Sequence, residues 1–176
     1  MVYQPIQVET LQVAGIYESL LAMRLPKESK GDSYYSLADT FIFGDKDKYL
    51  ASRLIKGGDE HGKFARGIQV WARIKMQLGW MIEFVTYNVG MTDLSTTSSM
   101  HNELKTFHGT ELAEEKQRGL PYKEYTRIFC ASYQTLRRIY LQRKGHKHPD
   151  WKIFLEWIET LPYFDILIYP DENINT

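Results

Sequence analysis

Residues 68–84, IQVWARIKMQLGWMIEF, decide the fold class of this 176-residue chain. Apolar side chains occupy the even-numbered positions of this stretch, and most of its polar side chains stand at odd-numbered positions. A period of two predicts a β-strand, which we place over residues 67–76 with one face in the core. The full stretch is too long for one strand, because strands usually span about 5–6 residues. We therefore expect a helix or a second element to begin after Gln77.

Helices are predicted at three other places. Apolar residues at helical spacing, followed by two glycines, indicate a helix over residues 47–56. The C-terminal third of the chain predicts two more helices, over residues 122–143 and 150–161. The second of these shows apolar residues along one helical face, and Asp150 is its predicted N-cap.

These elements together predict an α/β (α+β) fold with a central sheet and long helices. Residues 6–13 alternate in the manner of an edge strand, whereas the polar tract over residues 90–101, GMTDLSTTSSMH, is predicted to be a loop. We find no internal repeat and no linker, so we expect residues 1–176 to form a single domain.

Composition excludes several classes of protein. Lys plus Arg and Asp plus Glu number 22 each, so the formal net charge is zero, and strong nonspecific nucleic-acid binding is not expected. No apolar run approaches the ~20 residues of a membrane helix, and the N-terminal stretch does not resemble a signal peptide. Cys130 is the single cysteine, so an internal disulfide is impossible and a reducing compartment is expected. We therefore expect a cytoplasmic protein.

Arg143 is the first candidate for a binding residue. In a helix it would continue an apolar stripe and point inward, where an unpaired guanidinium is costly. Two partners could neutralise it. One is a carboxylate of the protein itself, such as Glu83 or Glu156, and the other is an anionic ligand, since guanidinium suits bidentate phosphate binding.

A hydroxyl-rich loop is the second candidate. Residues 95–99, STTSS, could offer hydroxyl and amide groups to phosphate oxygens, although a merely solvated loop is the simpler interpretation. His146 and His148 invite a metal site, but the H-K-H spacing separates the two imidazoles and no cysteine pair supports them, so we expect a basic loop instead. We expect Cys130 to be a buried structural thiol and not a nucleophile.

Two stretches together resemble the flavin-dependent thymidylate synthases. Residues 120–143, LPYKEYTRIFCASYQTLRRIYLQR, resemble the Leu-Pro-x-x-x-Tyr-Thr turn and following helix of that family. Residues 49–76, which include LIKGGDEHGKFAR, resemble its helix, its Gly-His-x-x-x-Phe-Glu-His turn and its next strand. The order of elements agrees over residues 39–165. The segment WMIEFVTY at residues 80–87 and the Ser-rich turn that ends in Met-His further resemble a divergent variant associated with bacteriophage genomes.

The resemblance implies a fold, an activity and an assembly. The family makes thymidylate from dUMP with FAD, NADPH and methylene-tetrahydrofolate, and it forms homotetramers whose active sites lie at subunit junctions. Matching its motifs position by position makes Arg143 and Ser98 contacts of the substrate, with Ser99 beside them, and places Arg118 next to another substrate-binding position. The same matching implies that three residues of the last helix occupy the positions that bind the flavin nucleotide in the family. These are Ser132, Gln134 and Arg138.

The central catalytic signature of the family, Arg-His-Arg followed by Asn-Glu, is absent from this sequence. Its positions fall near Thr86, Tyr87 and Asn88, and Arg66 replaces a conserved histidine. Neutral side chains cannot support an anionic reduced flavin, and losing even one preorganised donor can cost about 3 kcal/mol of transition-state stabilisation. An active synthase is therefore not expected, although a nucleotide could still bind.

Three hypotheses of function follow. The first is a non-catalytic nucleotide-binding protein without a cofactor. If it is a phage protein, it could act in the host cytoplasm as an anti-defence sponge that sequesters a nucleotide-derived host signal. The second is an active FAD-dependent thymidylate synthase or a related pyrimidine-nucleotide flavoenzyme. The third is a structural or protein-binding subunit. In each case we expect a homo-oligomer, most simply a tetramer, because the chain is rich in aromatic residues that subunits can bury.

Overall fold

The computed structural model describes residues 3–99, 101–119 and 123–170. These residues form six strands and seven α-helices, with short 3-10 helices at Leu25–Lys27 and Gly62–Arg66. The strands are β1 (Gln7–Ala14), β2 (Tyr34–Tyr35), β3 (Phe41–Ile42), β4 (Gln69–Gln77), β5 (Met91–Thr96) and β6 (Glu124–Ser132). The helices are α1 (Ile16–Arg24), α2 (Asp45–Lys56), α3 (Leu78–Val85), α4 (Gly109–Gly119), α5 (Tyr133–Arg143), α6 (Pro149–Glu159) and α7 (Phe164–Leu167).

A four-stranded antiparallel sheet forms the centre of the fold, in the order β1-β4-β6-β5. The even-numbered residues of β4, from Val70 to Met76, are buried, because the alternation of the strand directs them all to one face. Phe129 and Ala131 of β6 lie opposite Ala72 and Val70 on that same face. The sequence period therefore sets which side of the sheet meets the helices.

Aromatic side chains fill the space between the sheet and the helices. Trp80 and Phe84 of α3 stack with ring centroids 4.9 Å apart, and Phe84 also packs edge-on against Phe154 of α6 at 5.4 Å. Trp151 and Phe129 complete this group, and both are fully buried. Large apolar surfaces of this kind supply most of the free energy that holds such layers together.

Several elements agree with the sequence-based predictions. The predicted strand over residues 67–76 is β4, α3 follows it directly after Gln77, and the predicted helix over residues 47–56 is α2. Helix α6 matches the helix predicted over residues 150–161, and the predicted edge strand over residues 6–13 is β1.

The helix predicted over residues 122–143 is wrong in its first half. The segment Glu124–Ser132 is strand β6, and only Tyr133–Arg143 is helical. The segment EYTRIFCAS is rich in aromatic and β-branched residues, and the gap between β4 and β5 offers it two hydrogen-bonded partners. Leu120, Pro121 and Tyr122, which belong to the matched turn, lie outside the described residues.

Two smaller predictions also need correction. The tract over residues 90–101 is not entirely a loop, because Met91–Thr96 pairs with β6 as an edge strand that is irregular between Asp93 and Ser95. Asp150 is not the N-cap of α6. His148 is, and its Nδ1 accepts a hydrogen bond from the Asp150 amide at 3.2 Å, while the Asp150 carboxylate accepts hydrogen bonds from the Ile6 amide and the Tyr3 hydroxyl.

Candidate functional site

Arg143 is the last residue of α5, on the face that also carries the buried Leu136 and Ile139. Its guanidinium carbon lies 3.4 Å from the centre of the Tyr87 ring and 5.2 Å from the centre of the Trp151 ring. The inward direction predicted from the apolar stripe is therefore confirmed. Because an aromatic ring covers one face of the guanidinium, its planar edge is the part left to bind a ligand.

No carboxylate neutralises Arg143 among the residues that the structure describes. Its Nε is buried and lacks a hydrogen-bond partner there, and no acidic group comes within ion-pair distance. Glu83 instead accepts a hydrogen bond from Trp151 Nε1 at 2.7 Å, and Glu156 lies 3.7 Å from Lys152 Nζ. The internal pairing of Arg143 with Glu83 or Glu156 is thus absent, which leaves the guanidinium available to an anion.

Helix α5 also forms hydrogen bonds with the turn that positions the Tyr87 ring against Arg143. The Thr135 hydroxyl donates a hydrogen bond to the Gly90 carbonyl at 3.3 Å, and Arg138 donates one to the Val89 carbonyl. Gly90 has φ of +87°, and a Cβ at this position would stand 2.8 Å from Thr135 Oγ1. A residue with a side chain would be strained there, so glycine is what lets the turn reach α5. We call the segment 87–90 the Tyr87 turn.

The hydroxyl-rich loop lies at the other end of β5. Met91, next to the Tyr87 turn, pairs with Ala131, whereas the Thr97 amide donates to the Thr126 carbonyl. Their partners on β6, Ala131 and Thr126, are five residues apart, so the two ends of β5 are separated by about 17 Å. Ser99 is 8% exposed, and among the described residues no hydrogen bond or ion pair joins Ser98 or Ser99 to Arg143. Within a single chain, the hydroxyl-rich loop therefore lies apart from Arg143, and the two predicted parts of the site do not meet.

Three of the remaining predicted site residues have internal partners. Ser132 is the N-cap of α5, where its Oγ accepts a hydrogen bond from the Thr135 amide at 3.2 Å. Gln134 accepts a hydrogen bond from Arg66 Nε at 2.6 Å and donates one to the Asp59 carbonyl at 3.1 Å. Arg138 is the third, through its contact with the Tyr87 turn. These side chains brace α5 against its neighbours.

Arg118 lies apart from this group, on helix α4. Its guanidinium is exposed and lies 2.6 Å from Glu115 and 3.7 Å from Glu114, both in the same helix. Exposed pairs of this kind contribute little to stability. Within residues 3–99, 101–119 and 123–170, no hydrogen bond or ion pair connects Arg118 to Arg143.

Nothing in the sequence signals the aromatic rings that lie against the Arg143 guanidinium. Trp151 lies on the apolar face predicted for the helix over residues 150–161, but a helical repeat gives no sign that its ring approaches a cation. Tyr87 follows the end of α3 and belongs to no periodic pattern. Nothing in the sequence signals that Glu83 and His146 meet, with His146 Nε2 3.5 Å from Glu83 Oε1.

The other candidate chemistries find little support. Cys130 donates to the Gln69 side-chain oxygen at 3.3 Å, and burial raises the pKa of its thiol, which disfavours the reactive thiolate. In the described part of the chain, no three His, Cys, Asp or Glu side chains come together in a way that could hold a metal ion. None of the helices within residues 3–99, 101–119 and 123–170 combines the length and the apolar character needed to cross a membrane.

Comparisons with known proteins agree with this architecture at the level of the fold. No protein-family model and no curated protein matches the sequence. The structure is similar to two crystal structures of the flavin-dependent thymidylate synthase ThyX from Helicobacter pylori, both with FAD and dUMP, with TM-scores of 0.66 and 0.67. Each is 14% identical to this chain, and each alignment covers 94% of this chain and 98% of the solved one. At this identity, the likeness establishes a ThyX-like fold.

Proposed function

We propose that this chain is a non-catalytic nucleotide-binding protein on a ThyX-like scaffold, and that Arg143 binds the phosphate of its ligand. The observation that carries the proposal is the state of Arg143. Its guanidinium is partly buried, stacked on Tyr87 and unpaired among the described residues. A buried cation without a counter-charge is costly, and a bound anion would remove that cost.

The absence of catalysis is proposed from the positions that correspond to the family's signature. Thr86, Tyr87 and Asn88 stand there in the resemblance, and none of them carries a charge. The ring of Tyr87 is committed to stacking with Arg143. A neutral, occupied ring cannot supply the cationic support that a reduced flavin needs.

We further propose that the protein does not use FAD. FAD would supply the redox chemistry of a synthase if it were bound. The three residues that resemble flavin contacts, Ser132, Gln134 and Arg138, use their polar atoms within the chain. A flavin nucleotide would have to break these hydrogen bonds to make its own, so they do not fit that group.

The proposed assembly is a homotetramer in which a second copy supplies the hydroxyl-rich loop. This follows from the separation of Ser98 and Ser99 from the Tyr87 turn along β5, together with the resemblance to a family whose sites lie between subunits. A monomer measured by light scattering at micromolar concentration would contradict this assembly. In a bacteriophage setting, such a protein would sequester a nucleotide-derived host signal in the host cytoplasm.

The experiment that tests the function is a titration of a nucleotide panel that includes dUMP, with wild-type protein and Arg143→Ala. Loss of a charge-assisted hydrogen bond should weaken binding by about 1.5–3 kcal/mol, roughly 10- to 150-fold, while the protein stays folded. Arg53→Ala is the matched control, because Arg53 also stacks on a tyrosine, Tyr49 at 5.5 Å, but on the exposed face of α2. The proposal is wrong if no nucleotide binds, or if Arg143→Ala binds as well as the wild type.

The alternative of an active flavoenzyme is favoured by one observation, the similarity of the fold to ThyX structures that contain FAD and dUMP. Two measurements separate it from the proposal. A purified protein with the yellow colour of bound flavin would support the flavoenzyme. Release of tritium from labelled dUMP in the presence of FAD, NADPH and methylene-tetrahydrofolate would establish it and overturn the non-catalytic proposal.

A further inference from the structure

A second charged group lies beside the Arg143 site. Glu83 on α3 accepts a hydrogen bond from Trp151 Nε1 at 2.7 Å, and its Oε1 is 3.5 Å from His146 Nε2. The His146 ring packs edge-on against Trp151 with centroids 6.3 Å apart, and the Arg143 guanidinium carbon is 5.2 Å from the same Trp151. Trp151 is thus the common neighbour of the cation, the acid and the imidazole.

A hydrogen bond indicates the tautomer of the neutral His146 ring. Its Nδ1 accepts a hydrogen bond from the His148 amide at 3.1 Å, so in the neutral ring the proton is on Nε2 and faces Glu83. His146 is also tied to the site through its backbone, because its amide donates to the Arg143 carbonyl at 2.9 Å. Taking up a second proton would break the His148 contact and give Glu83 a cationic partner.

We infer that Glu83 and His146 form a charge-tuning pair that makes anion binding at Arg143 depend on pH. While His146 is neutral, the Glu83 carboxylate opposes a second negative charge near Arg143. When His146 is protonated, the pair is neutral, and an anion meets the full charge of Arg143. This inference rests on the proposed function and adds the regulation of that same site.

The charged neighbours of His146 in the described residues are few. Glu83 is the acid within ion-pair distance of His146, and Arg143 shares its neighbour Trp151. Lys144 and Lys147 are close to His146 in the sequence, and Lys144 Nζ donates to the Tyr169 hydroxyl. On the loop side, His148 Nδ1 lies 3.9 Å from a buried Asp150 oxygen. His148 uses its Nδ1 to accept the Asp150 amide as the N-cap of α6, so it serves as the control residue for His146.

The size of the effect follows from distance. Through Trp151, His146 lies within about 12 Å of the Arg143 guanidinium, which exceeds the roughly 8 Å screening length of physiological salt, so the measurement is made at low ionic strength. One added charge at this range should change the affinity for a divalent anion by about three- to tenfold at low ionic strength. Histidine side chains in general change charge between about pH 5 and pH 8, which is the interval to test.

Inorganic sulfate is the probe for this inference, because its own charge is constant over that interval. Sulfate is titrated calorimetrically into the wild type and into Arg143→Ala at about pH 5.5 and pH 8. The Arg143→Ala variant measures any sulfate that binds elsewhere on the protein. The wild type should bind about three- to tenfold more tightly at the lower pH. Glu83→Gln, whose amide oxygen can still accept from Trp151, should raise the affinity at pH 8 by a similar factor.

Histidine variants separate the inference from the proposed function. His146→Gln should remove the pH dependence, whereas His148→Gln, its neighbour, should keep it. If sulfate binding depends on Arg143 but its pH profile is the same in His146→Gln and the wild type, the charge-tuning pair is wrong and the anion site stands. If sulfate binding does not depend on Arg143 at either pH, both the pair and the anion site are overturned.

Discussion

Replacing Asp47 with alanine should strongly destabilise the protein, because this carboxylate joins α1, α2 and the loop between them. Asp47 is only 2% exposed. Its Oδ1 accepts a hydrogen bond from Arg24 Nε at 2.6 Å. Arg24 Nη2 is also 2.6 Å from Oδ1, but it is not aligned for a hydrogen bond and makes only an ionic contact. Its Oδ2 accepts the backbone N–H groups of Asp32 and Ser33 at 3.1 and 2.9 Å.

The magnitude follows from what the substitution leaves behind. Asp47→Ala would strand the Arg24 guanidinium, whose side chain is 15% exposed, and would remove the acceptor of two backbone N–H groups. Breaking one half of a buried ion pair typically costs about 3–5 kcal/mol, a large part of the roughly 5–15 kcal/mol that stabilises a domain. Asp45→Ala is the control, since Asp45 lies in the same helix, 94% exposed and 2.9 Å from Lys48. It should cost less than about 0.5 kcal/mol.

The same residue should make stability depend on pH. Burial by itself raises the pKa of Asp47, but hydrogen bonds from Ser33, Arg24 and Asp32 outweigh it and hold that pKa below its ordinary value. A carboxyl group whose pKa is lowered by folding contributes its full stability above its unfolded pKa, near 3.9. That contribution is lost as the pH falls through the lower, folded pKa. The wild type should therefore weaken below about pH 4, and Asp47→Ala should weaken less over the same interval.

Urea unfolding followed by tryptophan fluorescence measures both effects, because the chain contains four tryptophans. If the unfolding free energies of Asp47→Ala and Asp45→Ala agree within about 1 kcal/mol at neutral pH, Asp47 is not the buried anchor described here. A wild type and an Asp47→Ala variant that lose stability in parallel below about pH 4 would contradict the pH argument.

Three further substitutions, one of them with a matched control, test the packing around the site by the same unfolding measurement. Gly90→Ala should cost more than the roughly 1–2 kcal/mol of a left-handed backbone, because its Cβ would also meet Thr135 Oγ1 at 2.8 Å. Gly58→Ala, with φ of +91° and open space around its Cβ, should show the backbone cost alone, and equal effects at the two glycines would count against the described turn. Ser132→Ala should cost about 1 kcal/mol as the loss of an N-cap, and a neutral result would deny that role. Phe129→Ala should cost about 3–5 kcal/mol because its side chain is fully buried, and a loss below about 1 kcal/mol would contradict its place in the core.

Local patterns in the sequence predicted the elements whose identity depends on their own residues. The alternation in β4 can be recognised without knowing its partner strands, because a strand with one buried face has an apolar side chain at every second residue. The two glycines after α2 mark its end for a local reason, because Gly58 adopts the left-handed conformation. Arg143 follows from the helical repeat in the same way, as its spacing from Leu136 and Ile139 places all three on one face.

Tertiary structure decided what those patterns left open. The segment Glu124–Ser132 became a strand because β4 and β5 both offer it hydrogen-bond partners, and those partners are about 30 to 60 residues away in the sequence. The availability of Arg143 was decided in the same manner. Glu83 could have neutralised it, but the fold brings Trp151 and His146 to that carboxylate and Tyr87 to the guanidinium. Sequence periodicity states which way a side chain points, whereas the partner it meets depends on elements that only folding brings together.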